Sequence, residues 1–131
     1  MTVPPRVLVT EDDDAVRGVI LRVLGDHGYE VFEARNMQEA IDRFHEFAPI
    51  HLLLTDFFMP CGTGRELADT LWSHNPALPV ICMSGYDQDT PDDVSSPLVV
   101  HLPKPFKTTN LLDQVAHLLR TSQRPLPPGA A

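Results

Sequence analysis

The chain has 131 residues, 43% of them hydrophobic, which predicts one compact domain with its own core and excludes a two-domain enzyme. Its formal net charge of -8 repels phosphate backbones and anionic lipids, so we expect no binding to nucleic acid or to a membrane. Two cysteines, Cys61 and Cys82, are too few for a disulfide framework. No apolar run is long enough to span a membrane and the start of the chain shows no targeting pattern, so we expect a cytoplasmic location.

Five short apolar runs predict five β-strands. They cover residues 6–10, 29–34, 50–55, 79–83 and 98–102. Four of the five have continuously apolar centres instead of the alternation that is typical of a sheet with one wet face. This pattern indicates a parallel sheet that is covered by helices on both faces.

Amphipathic helices are predicted between the strands, with apolar stripes within residues 16–24, 40–48, 67–72 and 111–119. Asn36 and Glu39 form a capping pair that predicts the start of the second helix, and Gly28 predicts the left-handed end of the first. The fourth helix is expected to be shortened to about residues 90–96. Residues 1–120 are assigned to the domain, and the proline-rich residues 121–131 to a disordered tail.

A strand and a helix repeated five times require right-handed crossovers and a doubly wound parallel sheet. In such α/β folds the ligand site lies at the carboxyl ends of the strands. Polar residues stand at four of these ends, namely Glu11 and Asp12 after the first strand, Asp56 after the third, Ser84 after the fourth and Lys104 after the fifth. We therefore expect these side chains to meet at one edge of the sheet.

Three carboxylates at one edge would repel one another, by about 1 kcal/mol per pair at 4 Å in water and about 4 kcal/mol at an effective dielectric constant of 20. A hard divalent cation offsets this repulsion, and Mg²⁺ leaves coordination positions open for phosphate oxygens. Lys104 adds a point charge for a phosphoryl oxygen, and the Ser84 hydroxyl adds a hydrogen bond. Asp56 is the candidate nucleophile for a phosphoryl transfer.

Four motifs and one glycine resemble the receiver domain of two-component response regulators, which has the CheY-like, flavodoxin-like fold. They are VLVTEDD at residues 7–13, LLTDFFMP at 53–60, Gly64, MSG at 83–85 and KPF at 104–106. The resemblance covers about residues 5–120 and implies a (βα)5 three-layer sandwich with strand order 2-1-3-4-5. The sequence MSGY at residues 83–86 is similar to receivers of hybrid histidine kinases, which points to a phosphorelay.

This resemblance implies a Mg²⁺-dependent transfer of a phosphoryl group to Asp56 from the phosphohistidine of a sensor histidine kinase or a histidine phosphotransfer protein. The residues it implies are Asp12, Asp56 and the backbone carbonyl of Phe58 as direct ligands of Mg²⁺, Glu11 acting through water, and Lys104 and Ser84 holding the phosphoryl group.

The resemblance also implies a conformational switch. Phosphorylation would draw Ser84 inward and reorient the ring three residues before Lys104, here His101, which would change the affinity for an unidentified downstream protein. An imidazole at this position would add sensitivity to pH, although a strand histidine can equally be an ordinary half-buried ring. A cis peptide bond is implied between Lys104 and Pro105. Such a domain is a signalling switch and not an enzyme, although it assists its own phosphorylation and dephosphorylation.

Other interpretations of the same residues stay open at this point. A phosphohydrolase of the haloacid dehalogenase kind also uses a strand-end Asp, Mg²⁺, a hydroxyl and a Lys, but it needs a second Asp where this chain has Phe58. A flavin-binding module shares the topology, but the acidic turn at residues 11–14 would repel a flavin phosphate. Within that turn, Asp13 and Asp14 are expected to do no more than cap the first helix.

Overall fold

The structure is a computed structural model that describes residues 4–59, 62–84 and 99–123. The described residues form strands and helices. In order they are β1 (Arg6–Thr10), α1 (Asp14–Asp26), β2 (Glu30–Ala34), α2 (Met37–Glu46), β3 (Leu52–Asp56), β4 (Phe58–Met59), β5 (Gly62–Thr63), α3 (Gly64–Trp72), β6 (Val80–Ser84), β7 (Val99–Pro103) and α4 (Thr108–Gln123).

Five parallel strands form the main sheet in the order β2-β1-β3-β6-β7. Counting these five strands alone, the order is 2-1-3-4-5, so the predicted doubly wound α/β fold is confirmed. The five strands lie within two residues of their predicted bounds. The antiparallel pair of β4 and β5 was not predicted, because strands of two residues are too short to show a hydrophobic period.

Each face of the sheet carries its own apolar core. On one face, Val9, Leu54 and Met83 pack with residues of α1 and α4. On the other face, Leu53 packs with residues of α2 and α3, among them Leu67. Since alternate residues of a strand point to opposite faces, the covering of both faces explains why the strand centres are continuously apolar.

Local polar contacts fix where α1 and α2 begin and end. The Asp13 side chain accepts hydrogen bonds from the first turn of α1, and the Asn36 side chain accepts one from the backbone N–H of Glu39, so both predicted caps are confirmed. Gly28 follows α1 with a φ of 89°, a conformation that favours glycine. These caps set the direction in which each helix returns across the sheet.

Two predictions concern residues that lie outside the described ranges. The shortened helix at residues 90–96 is one of them. The other is the proline-rich tail, of which only the first part is described: α4 continues through Thr121 to Gln123, three residues past the expected end of the domain at residue 120. Within the described part of the chain, no helix combines the length and the apolar character that a membrane crossing requires.

Candidate functional site

Three carboxylates converge where β1 and β3 end. Thr10 of β1 lies opposite Thr55 of β3 in the parallel register, so the acidic residues that follow them are neighbours. Carboxylate oxygens of Glu11, Asp12 and Asp56 all lie within 4.8 Å of one another. Glu11 is only 1% exposed and Asp56 9% exposed, whereas Asp12 is open to solvent. The predicted meeting of these acids at one edge of the sheet is therefore observed.

Lys104 reaches the same place from the end of β7. Its Nζ lies 2.8 Å from Oε2 of Glu11 and 3.4 Å from Oδ2 of Asp56. Its backbone N–H donates to the carbonyl of Ser84 at 2.6 Å, which ties the two neighbouring strand ends together. The peptide bond from Lys104 to Pro105 is cis, as the resemblance implied.

The environment shifts the pKa of both charged partners. Burial and the neighbouring Glu11 raise the pKa of Asp56 from 3.8 to about 6, against the opposing effect of Lys104. Burial alone would lower the pKa of Lys104, but the hydrogen bond to Glu11 and the charges of Asp56 and Glu11 raise it above its ordinary value. Lys104 is therefore a cation at neutral pH, and one ammonium group does not neutralise three carboxylates.

This donor set fits a hard divalent cation. Oxygen atoms of Glu11, Asp12 and Asp56 lie close enough to share one ion, and carboxylate oxygens are the ligands that Mg²⁺ prefers. The backbone of Phe58 begins β4, two residues after Asp56, so its position in the chain suits the further carbonyl ligand that the resemblance implies. The predicted residues therefore have the chemistry that a Mg²⁺ site needs.

Gly64 lets the chain pass close behind Asp56. A Cβ atom at this position would lie 2.6 Å from the carbonyl oxygen of Asp56 and 3.1 Å from Cγ2 of Thr55. The backbone N–H of Gly64 donates to the carbonyl of Phe57 at 2.6 Å. Since any larger residue would displace the Asp56 backbone, Gly64 sets the depth of the candidate nucleophile as well as the start of α3.

Ser84 is the next predicted site residue in the sheet. Asp56 of β3 lies opposite Met83 of β6, so Ser84 is one residue beyond it on the adjacent strand. Ser84 is 5% exposed and is the last residue of β6. The register therefore places Ser84 at the same edge of the sheet as the acids.

His101, the predicted switch residue, lies on β7, three residues before Lys104. It is half-buried on β7, opposite Cys82 of β6. By strand alternation from Val100 and Leu102, which pack on the α1 and α4 side, His101 points toward the other face of the sheet. Burial raises the pKa of the Cys82 thiol to about 12, so the group beside His101 is a neutral thiol.

Arg17 contacts the site, although sequence reasoning did not single it out. It lies on α1 and is only 8% exposed, and its guanidinium Nη1 donates to the carbonyl of Glu11 at 2.8 Å. The available signal was a charged residue beside the apolar stripe of α1, next to Val16 and three residues before Ile20. Buried arginines are rare unless they are paired, so this position is informative.

This chain is similar to known proteins over most of its length. Residues 7–116 match the family described as response regulator receiver domain. The response regulator receiver protein CpdR of Brucella abortus is 32% identical over 121 residues, which cover 87% of this chain and 96% of CpdR. Response regulator RR06 of Streptococcus pneumoniae is 30% identical over 116 residues, 87% of this chain but 52% of RR06, so the chain spans about half of that relative.

A similar solved structure is the crystal structure of the receiver domain from the hybrid histidine kinase CckA. It is 36% identical to this chain, with a TM-score of 0.74, and the match covers 87% of this chain and 98% of that domain. The similarity therefore extends over nearly the whole of a known receiver domain.

Proposed function

Because this chain belongs to the response regulator receiver domain family, and so is a receiver domain of a two-component system, we propose that Asp56 is its phosphoacceptor. The donor would be the phosphohistidine of a sensor histidine kinase or of a histidine phosphotransfer protein. The observation that carries this assignment is the meeting of Asp56 with Glu11, Asp12 and Lys104 at one edge of the sheet.

The side chains have the states that this transfer needs. With a pKa of about 6, Asp56 is mainly a carboxylate at neutral pH, so one of its oxygens can attack phosphorus in line with the departing imidazole nitrogen. The bond from oxygen to phosphorus forms as the bond from nitrogen to phosphorus breaks, and the imidazole takes up a proton. Lys104 and the Ser84 hydroxyl would donate hydrogen bonds to the phosphoryl oxygens.

Mg²⁺ would be held by Asp12, Asp56 and the Phe58 carbonyl, with Glu11 acting through a water molecule. When bound, the ion supplies positive charge that offsets the charge on the phosphoryl oxygens. Glu11 holds the Lys104 ammonium group at 2.8 Å, which keeps it beside the acceptor carboxylate.

The response to phosphorylation would begin at Lys104 and Ser84. In the unphosphorylated protein Lys104 pairs with Glu11 and Asp56, and a phosphoryl group on Asp56 would compete for that ammonium group. Ser84 would move toward the new phosphoryl oxygens, His101 would reorient, and the affinity for a downstream protein would change. The likeness to the receiver of a hybrid kinase supports a place in a phosphorelay. A cytoplasmic location stays a prediction of the sequence.

A chemical test uses acetyl phosphate and Mg²⁺, with intact-mass spectrometry as the readout. We expect one added phosphoryl group that is stable in acid and labile in base, and none in Asp56→Asn. Asp113→Asn, which removes an exposed carboxylate from α4, is the matched control and should be phosphorylated like the wild type. No adduct on the wild type, together with turnover of a phosphate ester, would instead indicate a phosphohydrolase.

A further inference from the structure

A buried guanidinium group lies behind the acid cluster. Arg17 is 8% exposed and extends from α1 beneath the turn that joins β1 to this helix. Its Nη1 donates to the carbonyl oxygen of Glu11 at 2.8 Å, and its Nη2 lies 2.5 Å from Oδ1 of Asp14. One side chain thus contacts the backbone on one side of Asp12 and a carboxylate on the other.

These contacts suit the guanidinium group of arginine. Removing a guanidinium group from water is costly unless its N–H groups are paired, and its planar fork can serve two acceptors at once. The carbonyl of Glu11 belongs to the peptide group that joins Glu11 to Asp12. A hydrogen bond from a charged donor to this carbonyl therefore fixes the peptide plane between two of the three acids.

The backbone N–H and the carboxylate of Glu11 are also held by hydrogen bonds. Its backbone N–H donates to the carbonyl of Ala34 at 3.1 Å. Its carboxylate accepts from the backbone N–H of Asp13 at 3.2 Å and from Lys104 at 2.8 Å. Asp12 differs because its side chain is exposed, so the direction of its carboxylate depends on the backbone that Arg17 fixes.

We propose that Arg17 is a positioning residue for the cation site. By holding the peptide between Glu11 and Asp12, it keeps the Asp12 carboxylate directed at Asp56 before a cation arrives. This inference rests on the proposed function in taking Mg²⁺ as the cation. Partners that orient metal ligands typically contribute about 10- to 100-fold to metal affinity, and we expect an effect at the lower end of that range.

The test compares Mg²⁺ affinity by titration calorimetry in four variants and the wild type. Arg17→Met keeps much of the buried volume but removes both hydrogen bonds, and we expect the dissociation constant to rise about 10-fold. Arg17→Lys keeps the charge without the fork, and we expect an intermediate rise. The controls are Arg22→Met, which removes an exposed arginine from the same helix, and Asp14→Ala, which removes only the carboxylate partner. Both controls should stay within about twofold of the wild type.

A second readout needs no metal. In metal-free protein, NMR signals of the backbone amides of residues 11–13 should shift and broaden in Arg17→Met and stay in place in Arg22→Met. A residue with a purely structural role would lower the melting temperature and leave the Mg²⁺ affinity of the folded protein unchanged.

Wild-type Mg²⁺ affinity in a folded Arg17→Met protein would overturn the inference. If that variant does not fold, Arg17→Lys decides, and wild-type affinity there would exclude a role for the fork. A loss of affinity in Asp14→Ala equal to that in Arg17→Met would show that the ion pair, and not the carbonyl contact, matters. If the wild type binds Mg²⁺ in this arginine-dependent way but never forms an acyl phosphate, the proposed function fails and the positioning role stands.

Discussion

Asp56→Asn is expected to stabilise the metal-free protein at neutral pH. The pKa of Asp56 is raised from 3.8 to about 6 in the folded protein, chiefly by burial and then by Glu11. At pH values between 3.8 and about 6, the folded state retains the Asp56 proton whereas the unfolded chain has lost it. The free energy of unfolding therefore falls as pH rises through this window, and the destabilisation is complete above about pH 6.

The size of this effect follows from the shift in pKa. A shift from 3.8 to about 6 corresponds to about 3 kcal/mol if each unit contributes 1.36 kcal/mol. Solvent screening at the open side of the site reduces this value, so we expect Asp56→Asn to raise the free energy of unfolding by about 1–3 kcal/mol at pH 7.5. At pH 4, where the wild-type side chain is also neutral in the folded protein, the gain should shrink.

The assay is urea denaturation in EDTA at pH 7.5 and at pH 4, monitored by circular dichroism. Asp113→Asn is the control for the loss of one exposed charge. Adding Mg²⁺ at neutral pH should stabilise the wild type and leave Asp56→Asn nearly unchanged, because only the wild type retains the full set of acids. A wild type as stable as Asp56→Asn at pH 7.5 without metal, or more stable, would refute the view that burial and the neighbouring Glu11 raise the pKa of Asp56.

Three further substitutions test the construction of the site. Gly64→Ala should lower the free energy of unfolding by about 1–3 kcal/mol in urea denaturation and slow phosphorylation by acetyl phosphate, because its Cβ would lie 2.6 Å from the Asp56 carbonyl oxygen. The control Gly18→Ala has open space around its Cβ and should instead raise the free energy of unfolding by about 1 kcal/mol. Equal effects of the two substitutions would refute the close approach. Lys104→Met should raise the pKa of Asp56 above about 6 in an NMR titration of the carboxyl group, since it removes the cation that lowers this pKa. A pKa in the variant below that of the wild type would contradict this. Thr63→Ala should lower the free energy of unfolding by about 1 kcal/mol, because Thr63 and the first turn of α3 form a capping box. An unchanged free energy of unfolding would show that this cap does not stabilise the protein.

The sequence predicted the fold well because four of the five predicted strands have continuously apolar centres. Strands such as β3, with all five residues buried, differ clearly from the amphipathic helices on either side. The acids and Lys104 were found because they follow different strands whose carboxyl ends meet at one edge of the sheet, where the ligand site of such a fold lies. The short pair β4 and β5 gave no such signal, because strands of two residues are too short to show a hydrophobic period.

The role of Arg17 could not be predicted from the pattern alone. A charged residue on α1 is ordinarily exposed, and its burial here depends on the carbonyl of Glu11 lying within reach. The position of Arg17 is therefore decided by the path of the turn between β1 and α1, which the hydrophobic pattern does not show. His101, by contrast, lies on β7, the edge strand of the main sheet, as the implied strand order 2-1-3-4-5 requires.

The most direct test of the account is to locate the phosphoryl group after incubation with acetyl phosphate and Mg²⁺. Borohydride reduces an aspartyl phosphate to homoserine, which peptide mass spectrometry can assign to a position. We expect reduction at position 56 alone, dependent on Mg²⁺ and lost in Asp12→Asn. Reduction at another acidic residue, or labelling that is equally fast in EDTA, would contradict the assignment of Asp56, Asp12 and Lys104 to one cation-assisted phosphoacceptor site.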